Sequence, residues 1–257
     1  DCNSPITNIY SPYLKNKQGQ LYIDHVRGIY NVMKRVKANY PDVPMMLCSG
    51  GGARCDYEAL KYFTEFWCSD NTDPVERIYI QWGFSQFFPA KAMDAHVTSW
   101  NKATSVKFRT DVASMCKLGF DIGLKELTAD ELTYCQTAVA NWKRLQNAIM
   151  DGDQYRLVSP YEGNHMALNY VSKDANKAVL FAYDIHPRFQ EKLLAVKLQG
   201  LDPNKQYKVE EINLMPAASS GLVANGKVYS GDYLMKIGLD VFGLGQTQSR
   251  VVELTVQ

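Results

Sequence analysis

Two periodicities divide the 257-residue chain. Up to about residue 150, short apolar runs alternate with segments whose apolar positions recur every three or four residues, the pattern of βα units around a parallel sheet. "QLYIDHVRGIYNVMKRVKANY" sets Val26, Ile29, Met33 and Val36 at helical spacing with Val32 beside them, and Pro41 stops the helix. "VPMMLCSGGG" reads as a strand and a glycine loop, "DYEALKYF" as a helix, and "TEFWCSD" as a second strand. A helix starts near Pro74, where Asp73 is placed to cap its first turn. "KAMDAHVTS" and "FDIGL" supply a third and a fourth strand around a helix in "FRTDVASMCKLG". The long helix "TADELTYCQTAVANWKRLQNAIM" opens on the capping pair Thr128 and Glu131.

After "MDGDQY" the period becomes two. "KAVLFAYDI", "EKLLAVKLQ", "QYKVEEINL" and "SRVVELTVQ" alternate between turn signals such as "LDPNK" and "ANGK", which predicts an antiparallel β-sandwich. The expected fold class is therefore α/β plus all-β, with a strand-helix domain over residues 1–152 and a β-sandwich domain over residues 153–257. No repeat of fixed period and no low-complexity linker separates them.

Composition narrows the function. Apolar residues make up 46% of the chain, enough for a substantial core, and 28 Lys and Arg offset 27 Asp and Glu. The balance leaves no net field to attract nucleic acid or an anionic membrane, and neither is expected as a partner. No run approaches the roughly 20 apolar residues of a membrane helix, and "DCNSPITNIY" lacks the basic and apolar regions of a secretory leader. The six cysteines form no C-x-x-C pair and read mostly as buried thiols, compatible with cytoplasm and periplasm alike.

In parallel α/β folds, ligands meet the carboxyl ends of the strands. Three polar clusters fall there: "DCN" at 1–3, "CSGGGAR" at 48–54 and "CSDNTD" at 68–73. Gly50, Gly51 and Gly52 could bring backbone amides close to a ligand, but no Lys-Ser or Lys-Thr follows and no G-x-G-x-x-G occurs, so a tight turn or a sugar-binding loop fits better than a nucleotide loop. Capping the next helix needs one acid, and "SDNTD" supplies two, Asp70 and Asp73, which leaves one available for chemistry. The histidines show no metal-ligand spacing and no G-x-S-x-G accompanies a serine, so neither a metal centre nor a Ser-His-Asp hydrolase is indicated; His96 reads as structural.

Taken together, "DCN", "CSGGGAR" and "WCSDNTDPVERIYIQWG" resemble, in order and spacing, the motifs of α-galactosidases of glycoside hydrolase family 36. The resemblance continues through "AMDAHVTS", "RTDVAS", "DGDQYRLVSP", "LQGLDPNKQYKV" and "SGDYLMKIGL" to "SRVVEL". It implies the second half of a (β/α)8 (TIM) barrel followed by a C-terminal β-sandwich, and retaining cleavage of terminal α-galactosyl residues with no metal or organic cofactor. It assigns Asp1 as nucleophile and Asp70 as general acid/base, with Asn3, Cys48, Ser49, Gly50 and Trp67 at the sugar pocket, and leaves Asp73 as a cap. The chemistry needs two carboxylates, one to attack the anomeric carbon and one to protonate the leaving oxygen. Related readings are an α-N-acetylgalactosaminidase, a galactosyl-transferring enzyme, or a non-catalytic sugar-binding or assembly module.

Four βα units cannot close a barrel, and open strand edges invite pairing, so a homo-oligomer joined through the half-barrel edges is expected. With the nucleophile motif at the first residue, the isolated chain is expected to turn over little substrate, because a nucleophile displaced by about 1 Å loses on the order of a hundredfold in rate.

Overall fold

The computed structural model describes residues 9–243 and 245–257. Asp1, Cys2 and Asn3 lie outside the described residues. The chain divides into two compact units, residues 1–70 and 71–257.

In the first unit, α1 (Gln20–Asn39) forms where the periodicity predicts it, and β1 (Met46–Leu47) runs parallel to β2 (Glu65–Trp67) with Leu47 opposite Phe66. The predicted stripe of α1 is only half-covered: none of its residues is fully buried, and Val26 and Val32 are exposed. Tyr30 anchors the helix by stacking on Tyr62 at 5.7 Å between ring centroids and donating to the Asp56 carboxylate. The helix predicted in "DYEALKYF" is a single 3-10 turn, Ala59–Lys61, with Asp56 Oδ1 accepting the Ala59 N–H at 2.8 Å. So short a segment gains too few hydrogen bonds to offset the cost of starting a helix.

In the second unit, α2 (Pro74–Phe84) leads to β3 (Met93–Thr98), α3 (Val106–Ala113), β4 (Lys117–Asp121) and α4 (Ala129–Asp151). β3 and β4 are parallel. The capping pair of α4 forms in both directions, Glu131 N–H to Thr128 Oγ1 at 3.2 Å and Thr128 N–H to Glu131 Oε2 at 2.9 Å. The fourth strand begins earlier than "FDIGL", because α3 ends at Ala113 and frees Lys117–Gly119 to pair with β3.

β5 (Asp153–Val158), β6 (His165–Val171), β7 (Lys177–Asp184), β8 (Gln206–Ile212), β9 (Val228–Ser230) and β10 (Gln248–Val256) form one antiparallel sheet of order β5-β6-β7-β10-β8-β9. The sequence predicts a two-sheet sandwich over residues 153–257; the described residues of that range form this single sheet, with both faces covered by other means. On one face α3 and α4 pack, and Tyr170 and Tyr183 donate their hydroxyls to the carbonyls of Met115 and Asp111, each at 2.8 Å. On the other, Ala178, Leu180, Ala182, Val252 and Leu254 meet Val196, Leu198, Leu201, Leu222 and Leu234. Leu234 belongs to a short helix, α5 (Gly231–Lys236), and the rest of that layer is largely irregular.

"EKLLAVKLQ" is part of that layer and is not a strand. Its Val196 makes one bridge, to Leu239, and Val196 and Leu198 supply apolar cover while Leu194 points to solvent. Alternation alone cannot distinguish a strand from an extended segment laid across a sheet, since both bury every second side chain. β6 and β7 are buried on both faces, which hides alternation in "HMALNYV" altogether.

At the centre of this packing sits a fully buried carboxylate. Asp111 Oδ1 accepts from Tyr134 Oη at 3.0 Å and Asn213 Nδ2 at 2.9 Å, while Oδ2 accepts from Ser249 Oγ at 2.7 Å and Lys107 Nζ at 2.5 Å. One side chain thus ties α3 to α4, to the segment after β8 and to β10. Burial, and then the charge of Asp111, holds the Tyr134 phenol well above its ordinary pKa.

Candidate active site

The segment 65–73 separates its two acids by task. In the second unit, Asp73 Oδ1 accepts the N–H groups of Val75 at 2.9 Å and Glu76 at 3.0 Å, so its carboxylate is committed to the first turn of α2. Asn71 Oδ1 accepts the Asp73 N–H at 3.0 Å. Buried Thr72 is fixed by Thr98 Oγ1 at 2.9 Å, at the carboxyl end of β3, and by Asn101 Nδ2 at 2.6 Å.

Asp70, the last residue of the first unit, carries an exposed carboxylate whose Oδ1 accepts the indole N–H of Trp67 at 2.9 Å. Trp67 closes β2, and the buried Cys68 follows it. Of the two acids, Asp70 is the one left open to a ligand.

The glycine loop after β1 folds against the same segment. Gly51 adopts φ +82°, and a Cβ placed there would stand 2.7 Å from Ser69 Cα, 3.2 Å from the Cys68 carbonyl oxygen and 3.4 Å from the Asp70 nitrogen. Only glycine permits both the backbone conformation and this approach. The loop closes on itself through the Ser49 N–H to the Gly51 carbonyl at 3.3 Å and a bridge from Ser49 to Gly52. The sequence-derived residues Cys48, Ser49, Gly50, Trp67 and Asp70 are therefore gathered within one unit at the ends of two parallel strands.

They are not equally available. Cys48 and Gly50 are exposed, whereas Ser49 is 1% exposed and its buried Oγ has no hydrogen-bond partner among the described residues. Ser49 contributes its place in the turn. Among the described residues, no group of three or more His, Cys, Asp and Glu is arranged to hold a metal ion, and no helix is long and apolar enough to cross a membrane. His96 is structural: its Nε2 lies 3.4 Å from Asp94 Oδ2, and its ring occupies the space where a Cβ on Gly119 would stand. Sequence reasoning missed the Trp67–Asp70 bond, although an indole three residues before an acid at a strand end was its visible trace.

Two expected outcomes follow. Gly51→Ala would push the loop or the Ser69–Asp70 backbone aside and force a side chain into the left-handed region, at an expected cost of about 1–3 kcal/mol read by denaturant unfolding. Gly28→Ala, in open space on α1, should instead stabilise by roughly 0.5–1 kcal/mol. Equal stability of the two variants would contradict the tight seating of the loop. For the thiols, Cys48 is exposed while Cys55 is half-buried, and burial, aided by the charge of Asp56, pushes the Cys55 thiol up to about 11. At pH 8 its thiolate is on the order of one part in a thousand. Iodoacetamide should modify Cys48 well before Cys55 in a peptide map, and the reverse order would contradict the loop geometry.

Parallel strand-helix units followed by an antiparallel sheet, with a carboxylate and a glycine loop at the strand ends, are the frame in which the family of this chain can be recognised. Residues 1–152 match the melibiase family and residues 165–254 match the glycosyl hydrolase family 36 C-terminal domain, and the chain belongs to the melibiase family. Alpha-galactosidase 1 of Pediococcus pentosaceus is 32% identical over 93% of this chain and 32% of its own length. The crystal structure of the GH36 alpha-galactosidase AgaB from Geobacillus stearothermophilus superposes with a TM-score of 0.85 at 31% identity, covering 98% of this chain and 33% of that one. A variant of AgaA from the same organism, solved in complex with raffinose, superposes at 0.84 with 30% identity over 98% of this chain and 33% of its own. The chain spans about a third of the length of the curated relatives it matches.

Proposed function

We propose that this chain is the part of a retaining α-galactosidase that carries its general acid/base and glycine loop, acting on terminal α-galactosyl residues of raffinose-type oligosaccharides. The observation that carries the reading is the seating of Gly51 against the Ser69–Asp70 backbone. It puts the glycine loop beside a carboxylate that no helix cap consumes. The melibiase match, and the raffinose bound by a relative of the same fold, support the substrate class.

In this mechanism a nucleophilic carboxylate, assigned to Asp1, attacks the anomeric carbon as the bond to the leaving oxygen breaks. Asp70 in its acid form gives that oxygen its proton. Water then attacks the anomeric carbon, Asp70 takes the proton, and the nucleophile is released with the configuration retained. Asp1 and Asn3 enter from the family resemblance, Cys48 and Gly50, exposed on the glycine loop, are assigned to the sugar from the same resemblance, and the reading calls for no metal or organic cofactor.

The two parallel pairs, β1 with β2 and β3 with β4, support residues 1–152 as half of a (β/α)8 barrel and residues 153–257 as the C-terminal β-domain. β1 and β4 each have one strand neighbour among the described residues, and association of copies through these edges belongs to the same reading.

The test of the substrate class is release of 4-nitrophenol from its α-galactoside, α-N-acetylgalactosaminide and α-glucoside by the chain extended to the length of its relatives. Preference for the α-galactoside supports the reading. Preference for either other glycoside, or binding of galactose without turnover of any, overturns it.

A further inference from the structure

We infer that Trp67 is a positioning residue for Asp70: its indole N–H holds Oδ1 and thereby assigns the transferable proton to Oδ2. The inference rests on the acid/base role proposed for Asp70, and it gives Trp67 a task different from lining the sugar pocket.

The chemistry of the donor carries the argument. An indole nitrogen donates one hydrogen and accepts none, so the group 2.9 Å from it must present a lone pair. When Asp70 is a carboxylate, either oxygen can do so. When it is an acid, its carbonyl oxygen accepts well and its hydroxyl oxygen poorly. With Oδ1 facing the indole, the acid form that keeps the bond is the one with the proton on Oδ2. The same bond persists after the proton leaves, so the carboxylate need not turn between protonating the leaving oxygen and deprotonating water.

Both ends of the bond are rooted. Trp67 ends β2, whose Phe66 is buried and paired opposite Leu47 of β1. Asp70 follows Ser69, whose Cα would stand 2.7 Å from a Cβ on Gly51, so the Ser69–Asp70 backbone is seated tightly against the glycine loop. The donor is thus fixed by a strand and the acceptor by a loop that tolerates no side chain. Two rooted ends leave the carboxylate plane little freedom, which is the condition for a proton held in one direction.

The test is carried out on the chain extended to the length of its relatives, with Trp67→Phe keeping an aromatic ring at the position and removing the N–H. Two substrates separate acid catalysis from sugar binding: raffinose, whose leaving group needs a proton, and 2,4-dinitrophenyl α-galactoside, whose leaving group does not. Trp67→Phe is expected to lower kcat/KM on raffinose by about 10- to 100-fold and on the aryl substrate by less than about threefold. Asp70→Asn should show the same pattern more deeply, and the double variant should lose nothing beyond Asp70→Asn alone. Equal losses on both substrates, or a further loss in the double variant, would overturn the inference by placing Trp67 on the sugar or in the fold. A raffinose rate left intact by Asp70→Asn would instead sink the acid/base assignment itself. On the chain as it stands, the indole N–H resonance that disappears in Trp67→Phe should shift in Asp70→Ala, and an unmoved resonance counts against the bond.

Discussion

In the chain extended to the length of its relatives, replacing Asp70 by asparagine is expected to lower kcat/KM on raffinose by about 10²- to 10⁴-fold, the range that a positioned general acid contributes. The exchange removes the proton and leaves the side-chain shape, and an amide oxygen can still accept from Trp67, so the fold around β2 should persist. Loss should therefore track the leaving group: severe for a sugar, slight for 2,4-dinitrophenolate, since a good leaving group departs without a proton. Asp73→Asn is the internal control. Its carboxylate caps α2 through Val75 and Glu76, asparagine caps nearly as well, and little change in either rate is expected. If Asp73→Asn were the silent enzyme and Asp70→Asn the active one, the division of labour read from the hydrogen bonds would be inverted.

Asp111→Ala is expected to destabilise the 71–257 unit by about 3–5 kcal/mol, the usual consequence of deleting one partner of a buried ion pair. The buried carboxylate satisfies Tyr134, Asn213, Ser249 and Lys107 at once, and alanine leaves the buried donors of Tyr134 and Asn213 without their acceptor. Denaturant unfolding measures it, as a fall in midpoint with an unchanged slope. A loss under about 1 kcal/mol would mean that the four contacts do not hold the helices to the sheet. Asp111 sits in "RTDVAS", a stretch that carries the family resemblance, and its partners place it in the architecture and not in the chemistry.

Those partners also mark the limit of what the chain revealed before folding. The caps at Asp73 and Thr128 were legible because capping is local, with donor and acceptor within three residues. The contacts of Asp111 with Asn213 and Ser249 span 102 and 138 residues and left no local trace. "EKLLAVKLQ" alternates as a strand does, yet its partners are the sheet face and Leu239, which only the tertiary fold supplies.

At the site, the resemblance supplied Cys48, Ser49, Gly50, Trp67 and Asp70, and the structure ranks them. Ser49 is buried with the turn, Trp67 bonds to Asp70, and Gly51, named in the sequence only as one of three glycines, turns out to be the one seated against the Cys68–Asp70 backbone. The glycine run was visible; which glycine touches what was not, because the contact joins segments on different strands.

The most direct test of the central claim, that Asp70 is the general acid/base of a retaining site, is the product formed by Asp70→Asn from 2,4-dinitrophenyl α-galactoside in azide, in the chain extended to the length of its relatives. Azide needs no base to attack a covalent galactosyl intermediate, so turnover should recover and yield α-galactosyl azide, the configuration that two successive displacements retain. β-Galactosyl azide would make Asp70 the nucleophile, and wild-type hydrolysis with no azide product would remove it from the chemistry; either result contradicts the account.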